Sequence, residues 1–349
     1  MIKKLRKQDL HPYVLETLRN ISTINPDVKT AIFPNFSNYK VQTFLDLPQL
    51  YEPGSGGSVV NEENKSQRYE LKKNMLNITD DLGKYMDNLI ICKDKYVDEY
   101  NLCIKQMLLY LANNNFFAET TRDMFEGLLN INFEYVPIIC QAYLVSNSNS
   151  NFNSDEQTII KDYITRLYDM LNKKMMPQDD NGNVSGNNLT YGYGRLGFLC
   201  YFITNNQYMY DDAMKILKYG MTETNDDGTI RSEMGRQTSS YIYNVKAANF
   251  FCDMFYFRNT NLSTIENNKL KSISNLILDT FDYHQEFTDG NDKYSKKTNH
   301  GPQKMIGDSS FKSIHYDFII NILSDSSKEK MTQIYNKGWM DTSPFAIGF

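Results

Sequence analysis

The 349-residue sequence predicts an all-α protein, and three observations carry that expectation. Only 9 prolines and 18 glycines interrupt the chain, too few for the tight turns of an all-β protein of this size. Apolar residues recur with helical period over long stretches, and the apolar/polar alternation of strands is scarce. The helical stretches follow one another without a linker. That rhythm suits an incomplete (α/α) toroid of helical hairpins, roughly ten helices in a single domain over 1–349, better than two separate domains.

Taken in order, the chain opens on Met1-Ile-Lys-Lys-Leu-Arg-Lys, basic like the start of a secretory signal. Gln8-Asp9 follows where such a signal has its apolar core, so either the protein is not exported by that route or the sequence starts after a removed signal. Residues 33–64, with Pro34, Pro48, Pro53 and Gly54-Ser-Gly-Gly57, read as an excursion over the surface and a candidate lid loop. Helical stripes are expected over 67–92 and 101–113, where Cys103, Ile104, Met107, Leu108 and Leu111 share one face. Further stripes cover 119–145, 156–174, 188–204, 208–220, 236–257, 263–283 and 309–323. Turn chemistry separates them at Ser146-Asn-Ser-Asn-Ser-Asn, Pro177 to Gly186, Asn225-Asp-Asp-Gly228 and Asp289-Gly-Asn. Residues 287–308, rich in Lys, Asn and Gly, resist the helical reading.

Composition excludes several classes. The net charge of −5 offers no global basic field for nucleic acid, so an anionic ligand needs a local cluster of Arg, Asn and Lys. No run approaches the length of a membrane-spanning helix, and no membrane partner is expected. Cys92, Cys103, Cys140, Cys200 and Cys252 are odd in number and unpaired in spacing, as buried structural thiols are. His11, His284, His300 and His315 form no metal-ligand pattern, and neither a metal nor a cofactor is expected.

Two further motifs fail on context. Gly192-Tyr-Gly-Arg-Leu-Gly197 matches G-x-G-x-x-G but lies in a helical stripe, whereas a dinucleotide site needs a strand before it. Asp179-Asp-Asn-Gly-Asn lacks the closing Glu of a calcium loop and reads as a turn.

Two segments are harder to explain as packing alone. In Gly186-Asn-Asn-Leu-Thr-Tyr191 paired Asn open a helix, where capping is the ordinary role of Asn187 or Asn188. In Asp227-Gly-Thr-Ile-Arg-Ser-Glu-Met-Gly-Arg-Gln-Thr-Ser-Ser-Tyr-Ile-Tyr243 a turn precedes a helix. Glu233 is placed to serve the first helical turn, and Arg236 and Tyr243 fall seven residues apart on one face.

Together these segments resemble the alginate lyase family of helical-toroid polysaccharide lyases (polysaccharide lyase family 5). Asn187, Asn188 and Tyr191 match that family's Asn-Asn-His-x-Tyr-Trp segment. Asp227, Gly228, Glu233, Arg236, Tyr243 and Asn244 match its Asp-Gly-x-x-x-x-Glu-x-x-Arg element and the Tyr beyond it. Tyr51-Glu-Pro53 and Asn61-Glu62 are similar, more loosely, to its lid segment. The chain departs from the family at Leu189 and Ile242, which replace His, and at Gly192, which replaces Trp.

The resemblance implies β-elimination on a uronate-containing polysaccharide, in a periplasmic or secreted setting. Such a reaction needs a carboxylate neutralised, for which the planar fork of Arg236 and the amide of Asn188 are suited. It also needs a base at C5. Phenols ionise near pH 10 in water, an adjacent guanidinium favours the phenolate, and Tyr243 shares a face with Arg236. Asn187, Tyr191 and Tyr241 are expected to bind sugar, and Lys297 and His300, within the basic stretch Lys293 to Lys304, to meet an anionic chain. The expected enzyme is a monomer. The loss of the family's His leaves open a non-catalytic glycan-binding toroid, and a glycoside hydrolase would need a carboxylate pair such as Asp226, Asp227 or Glu233.

Overall fold

The computed structural model describes residues 31–53, 60–91, 96–147, 151–179, 182–234, 240–258, 261–280 and 329. Eight α-helices occupy them. They are α1 (Glu62–Ile91), α2 (Val97–Asn113), α3, α4 (Ser154–Met175), α5 (Asn188–Thr204), α6 (Gln207–Glu223), α7 (Ser240–Arg258) and α8 (Thr264–Thr280). Helix α3 starts as Phe125–Asn130, widens into a π-helical segment Ile131–Tyr135 and continues as Val136–Asn147. No strand forms among the described residues. Extended backbone pairs only at the isolated bridges Tyr51–Val60, Gln178–Val184 and Thr224–Ile230. The helix expected over 309–323 and the 287–308 stretch lie outside the described residues.

Local chemistry sets the helix starts. Asn153 and Glu156 form a reciprocal capping box at α4, and Ser263 and Glu266 do the same at α8. Helix α3 begins later than the periodicity predicts. Residues 114–119 turn through Asn115 and Phe117, at φ 50° and 59°, which buries the rings of Phe116 and Phe117.

Helix α5 is the centre of the fold and packs against α3, α4, α6 and α7. Most of its residues are buried, so it is apolar on nearly every side. Its glycines explain the failed dinucleotide motif. A Cβ on Gly194 would meet Ile216 and Met254 at 2.7 Å, one on Gly197 would meet the Met209 carbonyl at 2.7 Å, and one on Gly192 would overlap the Phe133 ring. The three glycines let neighbouring helices approach and cradle no phosphate. Cys103, Cys140 and Cys200 are buried free thiols, as expected. The Asp179 turn closes on itself, its carboxylate accepting from the Asn183 backbone N–H and amide.

Two expectations are refined. Residues 31–50 run over the surface as a strap tied to α1 and to the segment before α3. Leu45 and Leu47 are buried, the Leu45 N–H donates to Thr120 Oγ1 (3.0 Å), and Arg68 donates to the Pro48 carbonyl (2.6 Å). Only the tip of the expected lid, 54–59, lies outside the described residues. The second concerns length: Phe125–Ser146 is long and apolar enough, by composition, to cross a membrane. Most of it is buried inside the protein, packed on α1, α2 and α5.

Candidate active site

The site is assembled where the starts of α5 and α7 meet one short turn. Before α5 the chain passes through Gly186 at φ 145°, where any Cβ would collide with the Thr190 hydroxyl, so only glycine fits. Asn187 then caps the helix, its side chain accepting from the Leu189 N–H (3.0 Å). Asn188 follows, only 4% exposed, and its backbone N–H donates to Glu233 Oε1 at 2.5 Å.

The turn lies between α6 and α7. Asp227 accepts from the Thr229 N–H and hydroxyl (2.9 and 2.6 Å), and Gly228 adopts φ 85° with a Cβ position blocked by the Ser272 backbone of α8. Asn244, fully buried on α7, accepts from the Ile230 N–H at 2.6 Å and donates to the Gly228 carbonyl at 3.4 Å. The 3-10 turn Arg231–Glu233 carries Ser232, whose hydroxyl hydrogen-bonds Tyr191 (2.8 Å), and Glu233, which is fully buried. Thus α5 is joined to 232–233 and α7 to 228–230. Tyr243, next to Asn244 in the first turn of α7, is half-buried.

The structure therefore brings Asn187, Asn188, Tyr191 and the start of α7 to one turn. Arg236, Lys297 and His300 lie outside the described residues, as do the other three histidines and the side chain of Tyr241. Two roles change. Tyr191 is wholly buried, its ring edge-on to Phe251 at 4.6 Å, so it is a core tyrosine and presents no face to a sugar. Burial drives its phenol far above the usual tyrosine value. Glu233 binds the start of α5, 45 residues back in sequence, a partner that the sequence did not suggest. With Asp227 engaged by Thr229 and Glu233 by Asn188, neither carboxylate reads as half of a hydrolase pair.

Sequence reasoning missed the contribution of α3. In its π-helical segment Asn132 is fully buried and donates to the Leu189 carbonyl (3.5 Å). The next residue, Phe133, fills the space above Gly192 and stacks on Phe250 of α7, with centroids 5.6 Å apart and planes 8° apart. A widened helical turn inside an apolar stripe leaves no mark on the periodicity, though a buried Asn there is a faint signal. Below this stack Arg195 pairs with Asp253 at 3.5 Å and lies 4.9 Å over the Phe250 ring. Burial lowers the Arg195 pKa, against the pull of Asp253. Among the described residues no group of His, Cys, Asp and Glu is placed to hold a metal.

A model of the alginate lyase family matches residues 105–301, more than half of the chain and all of the site just described. The chain belongs to the alginate lyase family. It is a polysaccharide lyase.

Solved structures agree on the fold. The chain is 14% identical to a variant of alginate lyase A1-III complexed with a tetrasaccharide, with a TM-score of 0.62 over 91% of this chain and 92% of that one. It is 15% identical to alginate lyase A1-III from Sphingomonas species A1, with a TM-score of 0.59 over 96% and 94%. At these identities the likeness concerns the fold, and the helices form the family's helical toroid. Among curated proteins none matches by sequence. Within this alginate lyase-family chain the replaced His is Leu189, half-buried against the core, and the space over Gly192 is taken by an aromatic ring from another helix.

Proposed function

We propose that this lyase cleaves a uronate-containing anionic polysaccharide, alginate or polymannuronate-like, by metal-free β-elimination. Arg236 and the Asn188 amide neutralise the carboxylate and hold the charge that develops as the C5 proton leaves. Tyr243 takes that proton and returns one to O4 of the departing sugar, which a single group does when proton and leaving group lie on one side of the ring. Asn187 keeps the start of α5 in place, while Tyr241, Lys297 and His300 contact the anionic chain.

The observation that carries this reading is the shared turn. Asn188 and Tyr243 stand at the first turns of two helices, and both helices hydrogen-bond residues 228–233. An apolar residue at 189 further favours a mechanism in which tyrosine alone moves the proton.

The test is the ultraviolet absorbance of the unsaturated uronate product. Polymannuronate, polyguluronate and glucuronan are incubated with the native protein and with Tyr243→Phe, without added metal. Absorbance should rise on at least one polymer with the native protein and stay flat with the variant. A flat trace from folded native protein on all three would refute the proposed substrate class, and reducing ends released without absorbance would mean hydrolysis.

A further inference from the structure

Glu233 is a fully buried carboxylate in the 3-10 turn Arg231–Glu233, and its reach extends beyond that turn. Its Oε1 takes the backbone N–H of Asn188, the first residue of α5. An N–H at that position has no partner within its own helix, and a negative charge there also complements the helix dipole. The neighbouring Ser232 hydroxyl binds Tyr191, one turn further along α5. Residues 232 and 233 therefore grip α5 at two points, yet only Glu233 touches the residue that carries the amide. Three residues on in sequence stands Arg236.

We propose that Glu233 is a positioning residue of the elimination site: its carboxylate fixes Asn188 relative to the turn that leads into Arg236 and α7. The inference rests on the lyase reading above. Glu233 touches no substrate. It acts by holding the amide in the geometry that the developing enolate requires, where a displacement of about 1 Å costs about 100-fold in rate.

Two conservative variants separate reach from charge. Glu233→Gln keeps an oxygen at the same distance and loses the charge. Glu233→Asp keeps the charge and withdraws it by one methylene, out of reach of the Asn188 N–H. Positioning predicts that kcat falls about 100-fold in the Asp variant with KM little changed, and only about threefold in the Gln variant. Amide hydrogen exchange of the 186–192 segment should be slow in the native and Gln proteins and fast in the Asp protein. Adding Asn188→Ala to Glu233→Asp should lower kcat no further than either alone. Ser232→Ala, which loosens α5 without touching Asn188, should lower thermal stability and leave kcat within about twofold.

Equal kcat in the Asp and native proteins, or equal losses in Asp and Gln, would overturn the proposal, as would an additive double variant. A native protein that eliminates nothing refutes the lyase reading, and with it the catalytic purpose of Glu233. The exchange pattern then still reports whether the carboxylate holds Asn188, so the two failures are told apart.

Discussion

Two irregular segments, the strap at 31–50 and the turn at 225–234, solve the same problem by different means. Both bury backbone outside helices, and buried N–H and C=O groups must find partners. The strap borrows them from far away: Thr120 for the Leu45 N–H, Asn74 for both polar groups of Lys40, Glu99 for the Ala31 N–H and Arg68 for the Pro48 carbonyl. The turn first satisfies itself, through Asn225, Asp227 and Thr229, and then reaches out to Asn244 and Asn188. A segment held by distant side chains covers a surface. A segment that is rigid on its own can serve as a reference point for two helices, and this is the one at the candidate site.

The contrast is broken most directly at Gly228. An alanine there must hold φ 85° and meet the Ser272 backbone, which no side-chain rotation relieves. We expect a loss of about 3 kcal/mol, read from urea unfolding, and loss of elimination activity in the protein that remains folded. Next is Asn244→Ala, which leaves the buried Ile230 N–H and Gly228 carbonyl without their side-chain partner. A loss of about 2 kcal/mol should accompany a drop in kcat, since the turn and the first turn of α7 separate.

The support behind the turn is tested by acid. Hydrogen bonds from Arg258 and Ser263 hold Glu266 at a pKa of about 2, below its usual 4.5, and fasten α8 to α7. Because the folded value is depressed, this stabilisation is complete above pH 4.5 and is lost as pH falls toward 2. Glu266→Gln should therefore unfold more easily than the native protein at neutral pH, by no more than about 2 kcal/mol, because Glu266 is part-exposed. The difference should shrink as pH approaches 2. The smallest effect falls on the strap. Thr120→Val removes the acceptor of the Leu45 N–H and should cost about 1 kcal/mol with kcat unchanged. A fall in kcat equal to that of Asn244→Ala would erase the distinction between the two segments.

The turn was legible because its residues are neighbours in sequence. Asn225-Asp-Asp-Gly228 names its geometry. How firmly the strap is held was not legible, because its prolines look alike whether the chain floats or is tied down, and the ties lie 20–75 residues away. Tyr191 was misread for a related reason. It belongs to the same motif as Asn188, but three residues further along the helix it faces Phe251 and Ser232.

By itself the sequence determined the all-α class, the succession of helices and the two segments from which the candidate site is built, because helical period, caps and turns are local interactions. Only the tertiary structure decided what each residue does there. It made Glu233 the partner of Asn188, Asn244 the clamp of the turn, Tyr191 a core residue and the glycines of α5 packing contacts. Each of these depends on which surfaces are brought together when the helices bury their apolar faces, and burial is a property of the whole fold.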